Sequence, residues 1–149
     1  MKLPTLLGSL LLSASSAIAD DFLYLRCKLS VDMVITNPAT SETVEDRTME
    51  DISTLKINFA KKTILDSRSE GTLDIAIQDK ILTIPQRIDD KKLKLIDIGK
   101  IKLTPPYLMS GKGTAIYKSK NQTSTYSYEG LCKEVDASVF EKALKESES

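Results

Sequence analysis

Few residues in this 149-residue chain are able to do chemistry. Adjacent carboxylates stand at Glu45-Asp46, Glu50-Asp51 and Asp89-Asp90. Paired acids can share general acid and base roles when their surroundings tune their pKa values. Here they lie in polar, charge-rich stretches, which reads as solvated turns. The same pairs offer hard oxygen ligands, but no stretch has the ligand spacing of a calcium-binding loop, so no metal or other cofactor is expected. Ser110-Gly111-Lys112-Gly113-Thr114 has the residue types of a phosphate loop. That loop requires G-x-x-x-x-G-K-[ST]. Pro106 stands at the first glycine position and Gly113 at the Ser/Thr position, so SGKGT reads as a flexible strand connection. The chain has no histidine, which removes Ser-His-Asp triads, Cys-His pairs and imidazole metal sites. No enzyme is expected; a histidine-free hydrolase using carboxylates is the residual enzymatic reading.

The chain has two cysteines, Cys27 and Cys132. Their chemistry depends on compartment, and the first residues speak to that. MKLPTLLGSLLLSASSAIA has one early lysine, an apolar run from Leu3 to Leu12, then small residues ending Ala17-Ile18-Ala19. This is the layout of a secretory signal peptide cleaved after Ala19. A membrane anchor needs about 20 continuous apolar residues, and Ser13, Ser15 and Ser16 interrupt this run. Residues 1–19 are thus expected to be a signal, and residues 20–149 a single domain. Secreted or periplasmic export favours one disulfide, Cys27–Cys132; two buried thiols are the alternative.

The cysteines also have a structural setting. In FLYLRCKLSVDM, residues 22–33, Leu23, Leu25, Cys27, Leu29, Val31 and Met33 alternate with polar or aromatic positions, the period of a half-buried strand. Tyr126, Tyr128, Gly130 and Cys132 share a face near the other end. A disulfide requires Cα atoms within about 7 Å, so the terminal strands should be neighbours. Between them, short apolar alternations and turns follow at 55–59, 63–65, 73–77, 82–84, 93–98, 101–103 and 113–118, with Gly99-Lys100 read as a turn and Asn37–Asp51 as the one long loop. KINFAKKTIL, IAIQDKILTI and LIDIGKIKLT even resemble one hairpin used three times.

The expected fold is therefore all-β: an antiparallel meander of about eight strands closed into a small barrel, with a β-sandwich as the alternative. Closure removes the exposed sheet edges. Gly130 suits either fold, marking a bend or a close backbone approach. Ser138-Val139-Phe140-Glu141 reads as a capping box opening a C-terminal helix at about 138–147. A helix this short must dock, through Phe140 and Leu144, while Ser147-Glu148-Ser149 should fray.

Leu25-Arg26-Cys27, Ile96-Asp97-Ile98-Gly99 and Tyr128-Glu129-Gly130-Leu131-Cys132 resemble features of a broad group of small secreted bacterial β-barrel proteins with one N-to-C-terminal disulfide. The resemblance implies a compact barrel and no particular activity. In size and architecture the chain is also similar to periplasmic lysozyme inhibitors of the two-cysteine barrel type. Their S-G-x-x-Y loop is not matched, since Ser110–Thr114 lacks the tyrosine. Lipocalins carry a G-x-W near the first strand, and this chain has no tryptophan.

Two features point toward function. The full chain balances 21 basic against 21 acidic residues, which argues against nucleic acid as partner. Yet Lys91 to Lys120 holds eight lysines and one acid, Asp97. Lys94, Lys100, Lys102, Lys112 and Lys118 form a candidate patch for an anionic surface or acidic protein, against a plain solubilising face. The second feature is the inward face, with Leu25, Leu29, Ile57, Phe59, Ile75, Tyr126 and Tyr128 as candidate pocket lining. At 5% aromatic residues, a packed interior with at most a small pocket near one mouth is expected. The functional expectation is an exported, monomeric, non-enzymatic binding domain. The alternatives are an inhibitor of a secreted hydrolase such as lysozyme and a carrier of a small apolar ligand. No stable membrane insertion is expected after signal cleavage.

Overall fold

The computed structural model describes residues 21–148, so the expected signal at 1–19 lies outside the described residues. Nine antiparallel strands run β1 (Phe22–Asn37), β2 (Glu42–Asn58), β3 (Thr63–Asp66), β4 (Leu73–Asp74), β5 (Ala76–Gln78), β6 (Ile81–Asp89), β7 (Leu93–Lys102), β8 (Tyr107–Tyr117) and β9 (Gln122–Glu134). One helix follows, α1 (Ala137–Glu148). The ladder order is β4-β3-β2-β1-β9-β8-β7-β6-β5. Its two ends, β4 and β5, are halves of one chain segment interrupted only at Ile75. The first half pairs with β3 and the second with β6. The sheet therefore bends round into a nearly closed up-and-down barrel, in effect of eight strands, and the first strand meets the last.

Alternation sets which residues face in. Leu23, Leu25, Cys27 and Leu29 of β1 are buried, as are Leu55 and Ile57 of β2, Leu82 and Ile84 of β6 and Ile101 of β7. Together with Ile64, Ile75, Met109 and Cys132 they form one apolar cluster, centred toward the end of the barrel where the β2–β3, β5–β6 and β7–β8 connections lie. Phe59, Ile77, Leu103 and Tyr107 pack around it. The β5–β6 turn needs only Asp79 and Lys80, both with positive φ (53° and 63°), the conformation that lets a two-residue turn follow the strand twist.

Cys27 lies directly opposite Cys132 in the β1–β9 ladder, and the two form a disulfide with Cα atoms 3.9 Å apart. Gly130, opposite Leu29, marks a close backbone approach: a Cβ there would collide with the carbonyl of Lys28. α1 docks on the outside of the barrel. Phe140 is 1% exposed and packs against Tyr24, with ring centroids 5.9 Å apart.

Four local expectations are corrected. Asn37–Asp51 is not a long loop; only residues 38–41 connect β1 to β2, and β2 pairs along the whole of β1. Its polar composition reflects a two-stranded arm that is wet on both faces. Gly99-Lys100 is not a turn but lies inside β7, paired with β6 and β8, so the third hairpin unit does not exist. Ser110–Thr114 is the middle of β8 rather than a connection. The end of α1 is tethered: the Ser147 hydroxyl donates to the carbonyl of Ser67 at 2.7 Å.

Candidate ligand cup

Beyond the apolar cluster the barrel opens into a cup of about 880 Å³. Leu29, Leu55, Ile64, Ile84 and Met109 belong to the packed cluster and also line the cup, so they are its floor. Val31, Met33, Met49, Leu93, Leu95 and Tyr117 line it further toward the mouth. The interior is thus packed in one half and hollow in the other, and the hollow is larger than the small pocket expected. A ring of eight strands is just wide enough for side chains to fill. Here the side chains run short: Gly99, Gly111, Gly113, Ala115 and Ser124 occupy inward positions in the upper wall.

Three of those glycines have a specific use. In the ladders, Asp97 of β7 faces Gly113 of β8, which faces Tyr126 of β9. One step deeper, Gly99 faces Gly111, which faces Tyr128. Each tyrosine lies flat across the glycine beside it. A Cβ at Gly111 would run into the Tyr128 ring, one at Gly99 would come within 2.7 Å of the Tyr128 hydroxyl, and one at Gly113 would meet the Tyr126 ring. This clearance lets both hydroxyls cross β8 and reach Asp97. Tyr126 donates a hydrogen bond to Oδ2 and Tyr128 donates to Oδ1 at 3.1 Å. The rings are stacked, with centroids 6.3 Å apart. Burial, reinforced by hydrogen bonding to the Asp97 carboxylate and by its charge, pushes both phenols above the usual tyrosine range.

A second polar group stands on the opposite wall. Arg68, in the β3–β4 connection, grips Asp51 with two nitrogens (2.8 and 3.2 Å). It also donates to both oxygens of Asp66 (3.2 and 3.1 Å) and to the Ser53 hydroxyl (2.9 Å). Those hydrogen bonds hold the guanidinium firmly protonated. Asp51, Ser53 and Asp66 line the cup. Asp51 is therefore not in a solvated turn. Glu45-Asp46 lies on the protruding arm of β2, and Asp89-Asp90 at the β6–β7 tip. Asp89 and Asp90 are held below the usual carboxylate range, Asp89 by the Lys118 ammonium and Asp90 by the backbone N–H groups of Lys92 and Leu93. Among the described residues, no group of three or more acids or cysteines is placed to hold a metal ion.

The sequence-derived pocket residues divide. Leu29, Tyr126 and Tyr128 line the cup, while Leu25, Ile57, Phe59 and Ile75 belong to the packed end. Asp97, Gln86 and the Arg68 group were not anticipated. The signal for Asp97 was in reach: Leu93, Leu95, Asp97, Gly99 and Ile101 are one alternating face. Ile96 and Ile98 obscured it by suggesting the other phase, yet both point outward and are exposed. The basic segment also divides. Lys94, Lys100, Lys102 and Lys112 share the outer wall of β7 and β8, with Lys100 diagonal to Lys112. Lys118 lies at the mouth, bonded to the Asp89 carboxylate at 2.9 Å and the Asp90 carbonyl at 2.6 Å.

No protein-family model and no curated relative matches the chain. It is similar in part to two solved structures. One is a variant of Transferrin Binding Protein B (TbpB) from Haemophilus parasuis Hp5, at 10% identity and a TM-score of 0.41, covering 78% of this chain and 27% of that one. The other is intact Ap-TbpB (N and C lobes), at 11% identity and a TM-score of 0.39, covering 78% and 28%. The chain spans little more than a quarter of either.

Proposed function

We propose that this chain is an exported, non-enzymatic binding domain that takes one small, largely apolar molecule into the open cup. The observation that carries this reading is the cup itself. Its volume of about 880 Å³ falls within the roughly 300–1,000 Å³ typical of small-molecule sites. Its lining is mainly aliphatic, with a few polar groups that converge from fixed strands. Three of its carboxylates are held by donors, Asp51 by Arg68, Asp66 by Arg68 and the Ser53 hydroxyl, and Asp97 by two phenols. Among the described residues no helix is long and apolar enough to cross a membrane. The disulfide fits an oxidising compartment, in line with residues 1–19 acting as an export signal. Native mass spectrometry of the protein purified from its own host should show a retained small molecule. Protein that carries nothing, and takes up no apolar probe, would refute the reading.

A second reading concerns the outer wall. Lys94, Lys100, Lys102 and Lys112 share it with the exposed Ile96 and Ile98, a combination suited to an anionic partner. Binding to an anionic matrix should then weaken steeply with salt and with Lys100→Gln and Lys112→Gln together. Inhibition of a secreted hydrolase draws less support, because Ser110–Thr114 is a strand interior and not a protruding loop.

A further inference from the structure

The cup has a one-sided charge. Asp51, Asp66, Glu70 and Asp97 line it, and no lysine or arginine does. Among the described residues the lysines and arginines lie outside that lining, including those on the outer wall of β7 and β8, those on the tips at the mouth (Lys91, Lys92, Lys118, Lys120), Arg47 on the β1–β2 arm, where it is bonded to Glu45, and Arg68. The Arg68 guanidinium cancels one of the two charges of Asp51 and Asp66. Asp97 has no ion-pair partner among the described residues; its only hydrogen-bond donors are the two neutral phenols. Each phenol spends its single proton on Asp97, so neither can donate to a ligand. What they offer is an acceptor oxygen and a ring face. The carboxylate keeps unused lone pairs, since each of its oxygens accepts one bond. Gln86, directly opposite Asp97 in the β6–β7 ladder, also lines the cup.

A molecule that complements this surface has an apolar body for the aliphatic walls and a positive head for the carboxylate. Apolar contact accounts for affinity, and the isolated charge sets the sign of the head group. A ring face beside the carboxylate adds attraction for an ammonium group. An anionic amphiphile would bring a like charge into a cavity with no cation lining it. Resting on the reading of the cup as a ligand site, we infer that its ligand is a small organic cation with an apolar tail, its ammonium group seated on the Asp97 carboxylate. The lysines at the mouth are exposed on loop tips, where solvent and salt screen them, and Lys118 is already bonded to Asp89.

The test uses the full exported chain and three probes of equal length at neutral pH: decylammonium, decanol and decanoate, compared by displacement of a neutral fluorescent probe and by calorimetry. Decylammonium should bind at least about tenfold more tightly than decanoate, with decanol between them. Asp97→Asn keeps an acceptor oxygen for one tyrosine and turns an amide N–H toward the other, whose hydroxyl can accept it. It should weaken decylammonium at least about tenfold, leave decanol nearly unchanged and collapse the difference between the charged probes. Equal or tighter binding of decanoate by the unaltered protein overturns the inference, as does an unchanged preference in Asp97→Asn. The comparison of the three probes needs no variant, so it stands even where the substitution harms folding. If decanol also fails to bind, the cup itself is not a ligand site and both readings fall. If decanol binds but charge makes no difference, only the inference about the head group falls.

Discussion

The two halves of the barrel share one ladder of strands and differ in what their inward positions carry. In the packed half, Leu23, Leu25, Ile57, Leu82 and Ile101 meet at the centre and leave no room. In the open half, strands β7 and β8 carry Gly99, Gly111, Gly113 and Ala115 inward, Leu93, Leu95 and Tyr117 stand only toward the mouth, and Tyr126 and Tyr128 of β9 are drawn aside to Asp97. The tyrosines are held against the wall instead of filling the lumen. A barrel of this size can therefore be both a core and a container, and the switch is side-chain volume along three neighbouring strands.

The largest effect expected of any change on the packed side comes from the staple. Replacing Cys27 and Cys132 together by serine removes a link between residues 105 apart in sequence, worth about 4–5 kcal/mol in the chain-entropy model. Chemical denaturation of the oxidised protein and the double variant checks this. A loss below about 1 kcal/mol would mean that β1–β9 pairing alone already closes the ring.

Truncations sharpen the contrast between the halves. Leu25→Ala or Ile75→Ala removes a buried side chain from the close-packed end and should cost about 2–5 kcal/mol. Leu93→Ala, at the half-buried mouth, opens no new cavity and should cost under about 1 kcal/mol. Leu29 touches both regions, being buried and lining the cup, so Leu29→Ala should fall between them. Equal losses at Leu25 and Leu93 would erase the distinction between core and container.

The smallest effect expected is a pH dependence confined to the open half. Both cup phenols titrate higher in the fold than in the unfolded chain, chiefly through burial and then through Asp97. Above about pH 10 the unfolded chain therefore releases protons that the native protein retains, so the unfolded state is favoured. The contribution is fully present below about pH 10 and declines as pH rises beyond it. Stability measured by denaturation at a series of alkaline pH values should fall more steeply for the unaltered protein than for Tyr126→Phe with Tyr128→Phe. Identical slopes would separate the phenols from the alkaline transition.

The legibility of the molecule followed the same division. The packed end could be read from alternation because large aliphatic residues recur every second position there. Cys27 and Cys132 could be joined because both sit on such faces. In β7 the alternation is ambiguous: Leu93-Leu95-Asp97-Gly99-Ile101 and Lys94-Ile96-Ile98-Lys100 each carry two or more large apolar residues. A shift of one residue sends every side chain to the other face. The Ile96 and Ile98 phase looked internal and hid Asp97. Gly111 and Gly113 were equally opaque, since glycine in a strand pattern signals a turn or a bend until a neighbouring side chain is seen lying over it. Arg68, Asp51 and Asp66 come together only because β2 and β3 are paired.

Local pattern was enough for the all-β class, the meander, the pairing of the two cysteines and the presence of a docking helix, because each rests on a period or a turn carried within a few consecutive residues, although the helix opens at Ala137 and not at the expected Ser138 cap. The hollow end, the tyrosine–aspartate cluster and the acid-lined cup were decided by the tertiary structure. They depend on which residues of β7, β8 and β9 stand opposite one another across the ladder. That registry is set by closure of the whole ring, to which every strand contributes.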